Sequence, residues 1–207
     1  MTDATPDPHH YYTQEIPAQF NRMLEMQSER GEAGRGTYEG MLAVNESIHV
    51  EIHGDDSQHF YLNIEAGRMA ASDAPEHEPF VHLCLDTASF GQLAREAGES
   101  LTGLLGALAG LGGEMRLTRK RVRDLKMVAG LIRFNVTGEP GFSLLTGFGI
   151  SPGLSEPDAV IQMSETSYRE LRTGKLDPQT AFLEDDIHAE GDVQKVMQLA
   201  IAAVAPD

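Results

Sequence analysis

Short segments along the chain alternate apolar and polar residues, as expected for strands with one buried face. Residues 47–53 alternate strictly and place Ile48, Val50 and Ile52 on the same side. Residues 54–57 predict a turn that leads into a returning strand. The same reasoning predicts further strands, in chain order, at 60–65, 80–85, 131–136, 142–146 and 159–163.

Helices are predicted where apolar residues recur every three or four positions. Pro17 suits the first turn of a helix that begins at Ile16. Further helices are predicted after Asp86 and Ser164 as N-caps, near 118–129, and at 192–204. The last of these is predicted to present one broad apolar face, formed by Val193, Val196, Met197, Ala200, Ile201 and Val204.

The second half of the chain repeats the order of elements of the first half. At an offset of 78 positions, residues 81–93 lie over residues 159–171, and capping and aromatic positions coincide, as in the pairs Asp86/Ser164 and Phe90/Tyr168. The pattern predicts a flexible arm at 1–15, a first copy at 16–117 and a second copy at 118–207. A chance agreement between two generic strand–helix units is the alternative interpretation.

Composition narrows the class of protein. The net charge is −16, from 32 acidic and 16 basic residues, and this disfavours binding to a phosphate backbone. The single cysteine, Cys84, excludes an internal disulfide and fits a reducing compartment. The acidic N-terminus is not expected to be a secretory signal, and no apolar run approaches the roughly 20 residues of a membrane span. We therefore expect a soluble, cytoplasmic protein.

Residues 158–200 carry a characteristic series of positions. In order they are Ile161, Met163, Ser164, Tyr168, Leu171, Gly174, Lys175, Leu176, Asp177, Pro178, Ala181, Phe182, Ile187, Gly191 and Asp192. This series resembles the C-terminal part of the sterol carrier protein 2 family. The chain departs from the family pattern at 185–189, where many members read Gly-Lys-Leu-Lys-Ile and this chain has acidic residues and a histidine around the retained Ile187. Docking of that segment onto an anionic membrane is therefore in doubt.

The resemblance implies an α+β fold, here as two degenerate copies, with a sheet covered by helices and an apolar tunnel between them. It implies non-catalytic binding or transfer of a lipid or other hydrophobic ligand of fatty acyl, sterol-like or isoprenoid type. The tunnel would be lined by Phe134, Val136, Ile161, Met163, Phe182, Met197 and Ile201. The alternative is that these residues simply fill a dry core. No cofactor is expected.

Two other functions remain open at this point. The chain could be an accessory or scaffolding subunit that binds a partner protein through apolar grooves, or it could present a lipid substrate to an enzyme. A partner enzyme is possible in either case, while no pattern of catalytic residues is found. Residues 101–113, with five glycines among apolar residues, could form a flap over a tunnel, although a close-packed helix or a loop is preferred.

Six of the basic residues fall within eleven positions. Transient contact with anionic headgroups or an acidic partner is one interpretation, and the preferred one is a solvated helix face that pairs with the chain's carboxylates. The cluster consists of Arg116, Arg119, Lys120, Arg121, Arg123 and Lys126.

Two groups of side chains could in principle bind a metal or act as a nucleophile. His49, Glu51 and His53 share one face of a strand, but alternate residues lie about 7 Å apart, so a solvated face is preferred and no metal site is predicted. Cys84 has only His82 nearby in sequence, and a packed thiol is predicted rather than a nucleophile.

Overall fold

The computed structural model describes residues 6–97, 116–152 and 155–204. The N-terminal half contains α1 (Pro8–His10), a π-helical turn (Tyr11–Glu15), α2 (Ile16–Glu29), a 3-10 turn (Gly31–Ala33), α3 (Arg35–Leu42), β1 (Glu46–His53), β2 (Gln58–Glu65), β3 (Arg68–Ser72), β4 (Pro79–Asp86) and α4 (Thr87–Ala97). The C-terminal half contains α5 (Arg119–Lys126), β5 (Gly130–Thr137), β6 (Phe142–Phe148), β7 (Ala159–Ser164), α6 (Glu165–Arg172), α7 (Pro178–Leu183), β8 (Ile187–Gly191) and α8 (Val193–Val204).

The strands of the described residues form one sheet of eight, in the order β3-β2-β1-β4-β6-β5-β7-β8. In the first half β1 pairs antiparallel with β2 and parallel with β4; in the second half β5 pairs antiparallel with β6 and parallel with β7. Antiparallel pairing of β4 with β6 joins the halves, with Val81 opposite Phe148. The shared strand order supports the duplication, which stays a prediction, as do its boundaries.

One face of the sheet holds the core. Period-2 alternation directs Ile48, Leu62, Leu83, Phe134 and Leu144 to this face, where all are buried in a single cluster. Helices α2, α4, α6 and α8 contact strands of the sheet and supply the opposing layer. The protein is therefore an α+β protein whose sheet is covered by helices, which confirms the fold class.

The predicted helix starts have side-chain caps. Ser164 Oγ accepts a hydrogen bond from the Ser167 N–H at 3.0 Å, and an Asp86 carboxylate oxygen accepts one from the Ser89 N–H at 2.7 Å. Thr118 Oγ1 caps α5 in the same way, at 3.3 Å from the Arg121 nitrogen. Because each cap satisfies a donor that the helix cannot satisfy itself, these residues fix where the helices begin.

A salt bridge also links the halves. The Arg169 guanidinium of α6 lies 2.7 Å from the Glu96 carboxylate of α4. Its hydrogen bond lowers the pKa of Glu96. The pair ties the helical layer of the first half to that of the second.

The N-terminal segment differs from the predicted flexible arm. Residues 8–15 are helical, and Tyr11 and Tyr12 are buried. The Tyr12 ring lies 5.2 Å from the Phe60 ring and 5.7 Å from the Phe90 ring, measured between centroids. Burial raises the pKa of both tyrosine hydroxyls. Aromatic packing therefore orders residues 8–15. The polar His, Thr and Gln residues of this segment leave no apolar repeat from which a helix could be predicted.

The segment 101–113, for which a packed helix, a loop and a flap are the interpretations, lies outside the described residues. The helix expected near 118–129 is confirmed as α5, Arg119–Lys126.

Candidate hydrophobic-ligand site

Four of the seven proposed lining residues lie together on the covered face of the sheet. Phe134 of β5 is opposite Ile161 of β7, and Val136 is opposite Met163. All four are buried in the core cluster, because parallel pairing in this register aligns the inward positions of both strands. The structure thus brings this group together as the sequence predicts.

The other three residues lie elsewhere. Phe182 of α7 is 45% exposed, and Met197 and Ile201 of α8 are 59% and 63% exposed. Phe182 is predicted to line the tunnel, but its neighbour Ala181 is the buried residue of that turn. The expectation that all seven residues face one interior is therefore not met in this conformation.

Helix α8 is rotated relative to the expected apolar face. Val196, Leu199 and Ala202 are buried, which leaves Met197 and Ile201 on the outer side. Apolar residues occupy most positions of this helix, so periodicity alone could not select the buried side.

Helices α7 and α8 each carry large apolar side chains that are exposed, and both helices contact the edge strand β8. We call these side chains together the β8-edge surface; they are Phe182, Leu183, Val193, Met197 and Ile201. Leu183 and Val193 are not among the site residues predicted from the sequence, although both lie next to positions that match the family pattern.

A second feature is a groove of about 760 Å³ between α5 and the start of β1. Its lining includes Arg119, Lys120, Arg123 and Lys126 together with Glu46. The Lys126 ammonium donates to Glu46 at 2.6 Å. These residues therefore hold local positive charge that is partly neutralised within the chain.

The preferred interpretation of the basic cluster is a solvated helix face, but the cluster is only partly solvated. Arg121 is buried and Arg116 is half-buried. Lys120 and Arg123 each lie within 3.3 Å of the Asp124 carboxylate. The pairing with acidic residues is predicted from the sequence, whereas the burial of the Arg121 side chain is not.

The uncovered face of the first half carries a polar cluster. His49 Nδ1 lies 3.2 Å from His82 Nδ1, and His49 Nε2 lies 3.1 Å from His59 Nδ1. Burial, with a contribution from His49, lowers the pKa of His82 to about 4, so its ring is neutral at neutral pH. Burial first and Glu51 second raise the pKa of Cys84 to about 12. Cys84 is thus a protonated, packed thiol.

Among the described residues, no helix has the length and apolar character needed to cross a bilayer.

Comparison with known proteins finds a family model that matches part of the chain. The model of the SCP-2 sterol transfer family matches residues 114–203. No curated protein matches the chain. The match covers the half that contains the buried lining group and the β8-edge surface.

Solved structures of sterol carrier proteins are also similar to the chain. Sterol carrier protein 2 from Yarrowia lipolytica, in its apo form, is 18% identical over 52% of this chain and 92% of its own, with a TM-score of 0.34. The solution structure of sterol carrier protein domain 2 of Helicoverpa armigera is 12% identical over 99% of this chain and 97% of its own, with a TM-score of 0.22. The C-terminal half of this chain, over residues 114–203, is therefore similar in sequence to the SCP-2 sterol transfer family.

Proposed function

We propose that the C-terminal half binds and transfers a hydrophobic ligand of fatty acyl, sterol-like or isoprenoid type, without catalysis and in a reducing, cytoplasmic setting. The observation that carries the proposal is the β8-edge surface, which lies within the segment matched by the family model. Exposed apolar side chains that adjoin one another on a protein surface mark ligand or partner sites.

The two groups of candidate residues have different roles in this proposal. The exposed Met197 and Ile201 form the mouth of the site, and the buried Ile161 and Met163 lie beneath the same helix on β7. Helix α8 contacts both β7 and β8, so a small displacement of α8 opens a path from the mouth to the interior. Methionine at both levels suits ligands of varied shape, because its side chain is flexible and polarisable.

The energy available is sufficient for this kind of binding. Burial of a methylene group contributes about 0.8 kcal/mol, so an acyl chain of about a dozen carbons gains roughly 10 kcal/mol before ordering costs. Movement of α8 and ordering of the ligand subtract from this gain. No polar catalytic group is required for such a site.

We expect the double variant Met197→Gln/Ile201→Gln to bind a fluorescent fatty acid about tenfold more weakly than the wild type, which corresponds to roughly 1.4 kcal/mol. Both side chains are more than half exposed, so the fold should be unaffected. Delipidated protein is titrated with the probe and its fluorescence is followed. Met127→Gln, which alters a methionine that is 71% exposed outside this surface, is the control. No uptake by the wild type, or an equal loss in the control, would contradict the proposal.

The same exposed surface also fits the accessory-subunit function, in which a partner protein covers it, and the presentation of a lipid substrate to an enzyme. Native mass spectrometry of freshly purified protein separates these cases. Copurified lipid supports a carrier or presenter, and a lipid-free protein that captures no probe supports the accessory role.

We further propose transient contact of the basic groove with anionic headgroups, using Arg119, Lys120, Arg123 and Lys126 beside Arg116 and Arg121. The double variant Arg119→Gln/Lys120→Gln is expected to weaken cosedimentation with phosphatidylserine vesicles roughly tenfold. Each basic residue near such a surface adds about 1 kcal/mol to the binding free energy, and the nearby Asp124 carboxylate reduces this contribution. Arg68→Gln/Lys175→Gln removes the same charge from other elements and serves as the control. Equal binding by all three proteins would leave the groove as a solvated face.

A further inference from the structure

The uncovered face of the sheet brings a carboxylate, an imidazole and a thiol into one group. Glu51 of β1 is directly opposite Cys84 of β4, and His53 is the last residue of β1. Glu51 Oε1 lies 3.6 Å from His53 Nδ1, and Glu51 Oε2 lies 3.9 Å from Cys84 Sγ. One donor atom from each residue lies within 4.8 Å of the other two.

These separations are close to those of ligands around one zinc ion. Zinc bonds of about 2.0–2.3 Å at tetrahedral angles place neighbouring donor atoms roughly 3.4–3.7 Å apart. The Glu51–His53 and Glu51–Cys84 contacts, each made by a different carboxylate oxygen, are within a few tenths of an ångström of that range. All three donors lie within 4.8 Å of one another, so side-chain rotations that move the donor atoms by up to about 1 Å would bring them to tetrahedral spacing. Strand spacing argued against a site built from β1 alone, and the third ligand comes instead from the neighbouring strand.

The donor types favour a particular class of ion. A thiolate together with an imidazole selects zinc or a similar transition metal, whereas magnesium and calcium prefer oxygen ligands alone. Two anionic ligands balance the charge of a divalent ion. Cys84 is 8% exposed, whereas His53 is open to solvent, so an ion can enter from the His53 side.

We propose that Glu51, His53 and Cys84 bind one zinc ion, with water in the fourth position. The thiol coordinates as thiolate, and its proton passes to solvent when the ion binds. The site lies on the face opposite the helix layer, so it is separate from the proposed ligand site and does not rest on it. In the ion-free protein, the Cys84 S–H faces the Glu51 carboxylate.

The experiment uses the full chain without an affinity tag, stripped with a chelator. Zinc is titrated in competition with a chromophoric chelator, and cobalt is added separately to report thiolate ligation by its near-ultraviolet charge-transfer absorption. We expect one equivalent of zinc per chain and a thiolate band with cobalt. Cys84→Ser should abolish the band. Cys84→Ser and His53→Ala should each weaken zinc binding at least as much as the loss of a residue that only hydrogen-bonds to a metal ligand, which is about 10–100-fold.

His188→Ala is the matched control, because His188 lies 3.3 Å from Glu190 and 4.0 Å from Asp185 without a thiol. It should leave zinc affinity unchanged. The proposal is overturned if zinc does not bind, if cobalt gives no thiolate band, if Cys84→Ser and His53→Ala bind as the wild type does, or if His188→Ala weakens binding equally. Circular dichroism verifies folding of Cys84→Ser, and His53 is exposed enough that its loss cannot act through unfolding. Uptake of the fluorescent fatty acid should be the same in Cys84→Ser as in the wild type.

Discussion

Phe148→Ala is expected to lower the free energy of unfolding by about 3–5 kcal/mol, the usual cost of emptying a buried phenylalanine site. Phe148 is fully buried and lies opposite Val81 of β4 and Gly130 of β5. Its ring therefore fills the core where the two halves of the sheet meet. Urea unfolding at neutral pH, followed by circular dichroism, measures the loss.

Phe182→Ala makes the same chemical change at a residue that is 45% exposed, and it should alter stability by less than about 1 kcal/mol. Because the halves share one sheet, the wild type and both variants are expected to unfold in a single transition. Two separate transitions in the wild type, or equal losses in the two variants, would contradict this view of the seam between the halves.

Asn63→Ala is expected to lower the free energy of unfolding by about 3 kcal/mol. Each buried group that loses its hydrogen-bond partner costs about 1–3 kcal/mol, and some of these groups would bind water instead. Asn63 Oδ1 accepts hydrogen bonds from the Ser47 hydroxyl at 2.5 Å and the Glu76 N–H at 3.1 Å. Its amide nitrogen donates to the Ser72 hydroxyl at 2.7 Å and the Ala74 carbonyl at 3.1 Å. One buried side chain thus holds the loop before β4 against the sheet.

The control is Asn135→Ala in the other half of the sheet. Asn135 Oδ1 accepts a hydrogen bond from the Ser143 hydroxyl at 2.7 Å. Its loss is expected to cost roughly 1 kcal/mol, the net value of an ordinary hydrogen bond. Thermal and urea unfolding of both variants are compared, and an equal loss would show that the Asn63 network contributes no more than a single bond.

Strands and helix starts were predictable because local chemistry determines them. Alternation in residues 47–53 requires one covered face, and Ser164 and Asp86 cap helices through their own side chains. Neither feature depends on distant residues. The N-terminal tyrosines differ in this respect, because Tyr12 is ordered by Phe60 and Phe90, which lie far along the chain.

The candidate sites were predictable only in part, for the same reason. Ile161 and Met163 are inward positions of a strand, and alternation identifies them. Met197 and Ile201 lie on a helix with apolar residues on most sides, so only the packed structure shows which side is covered. Cys84 meets Glu51 through the register of two parallel strands, and nothing in either segment encodes that register.

The pairing of β4 with β6 has a consequence for dissecting the chain. A recombinant fragment that begins at Thr118 would keep β5 to β8 but would leave one side of β6 without its hydrogen-bonded neighbour. Bare strand edges recruit other chains, so such a fragment would tend to self-associate through β6. Each half thus covers an exposed strand edge of the other, so the two halves are best expressed together.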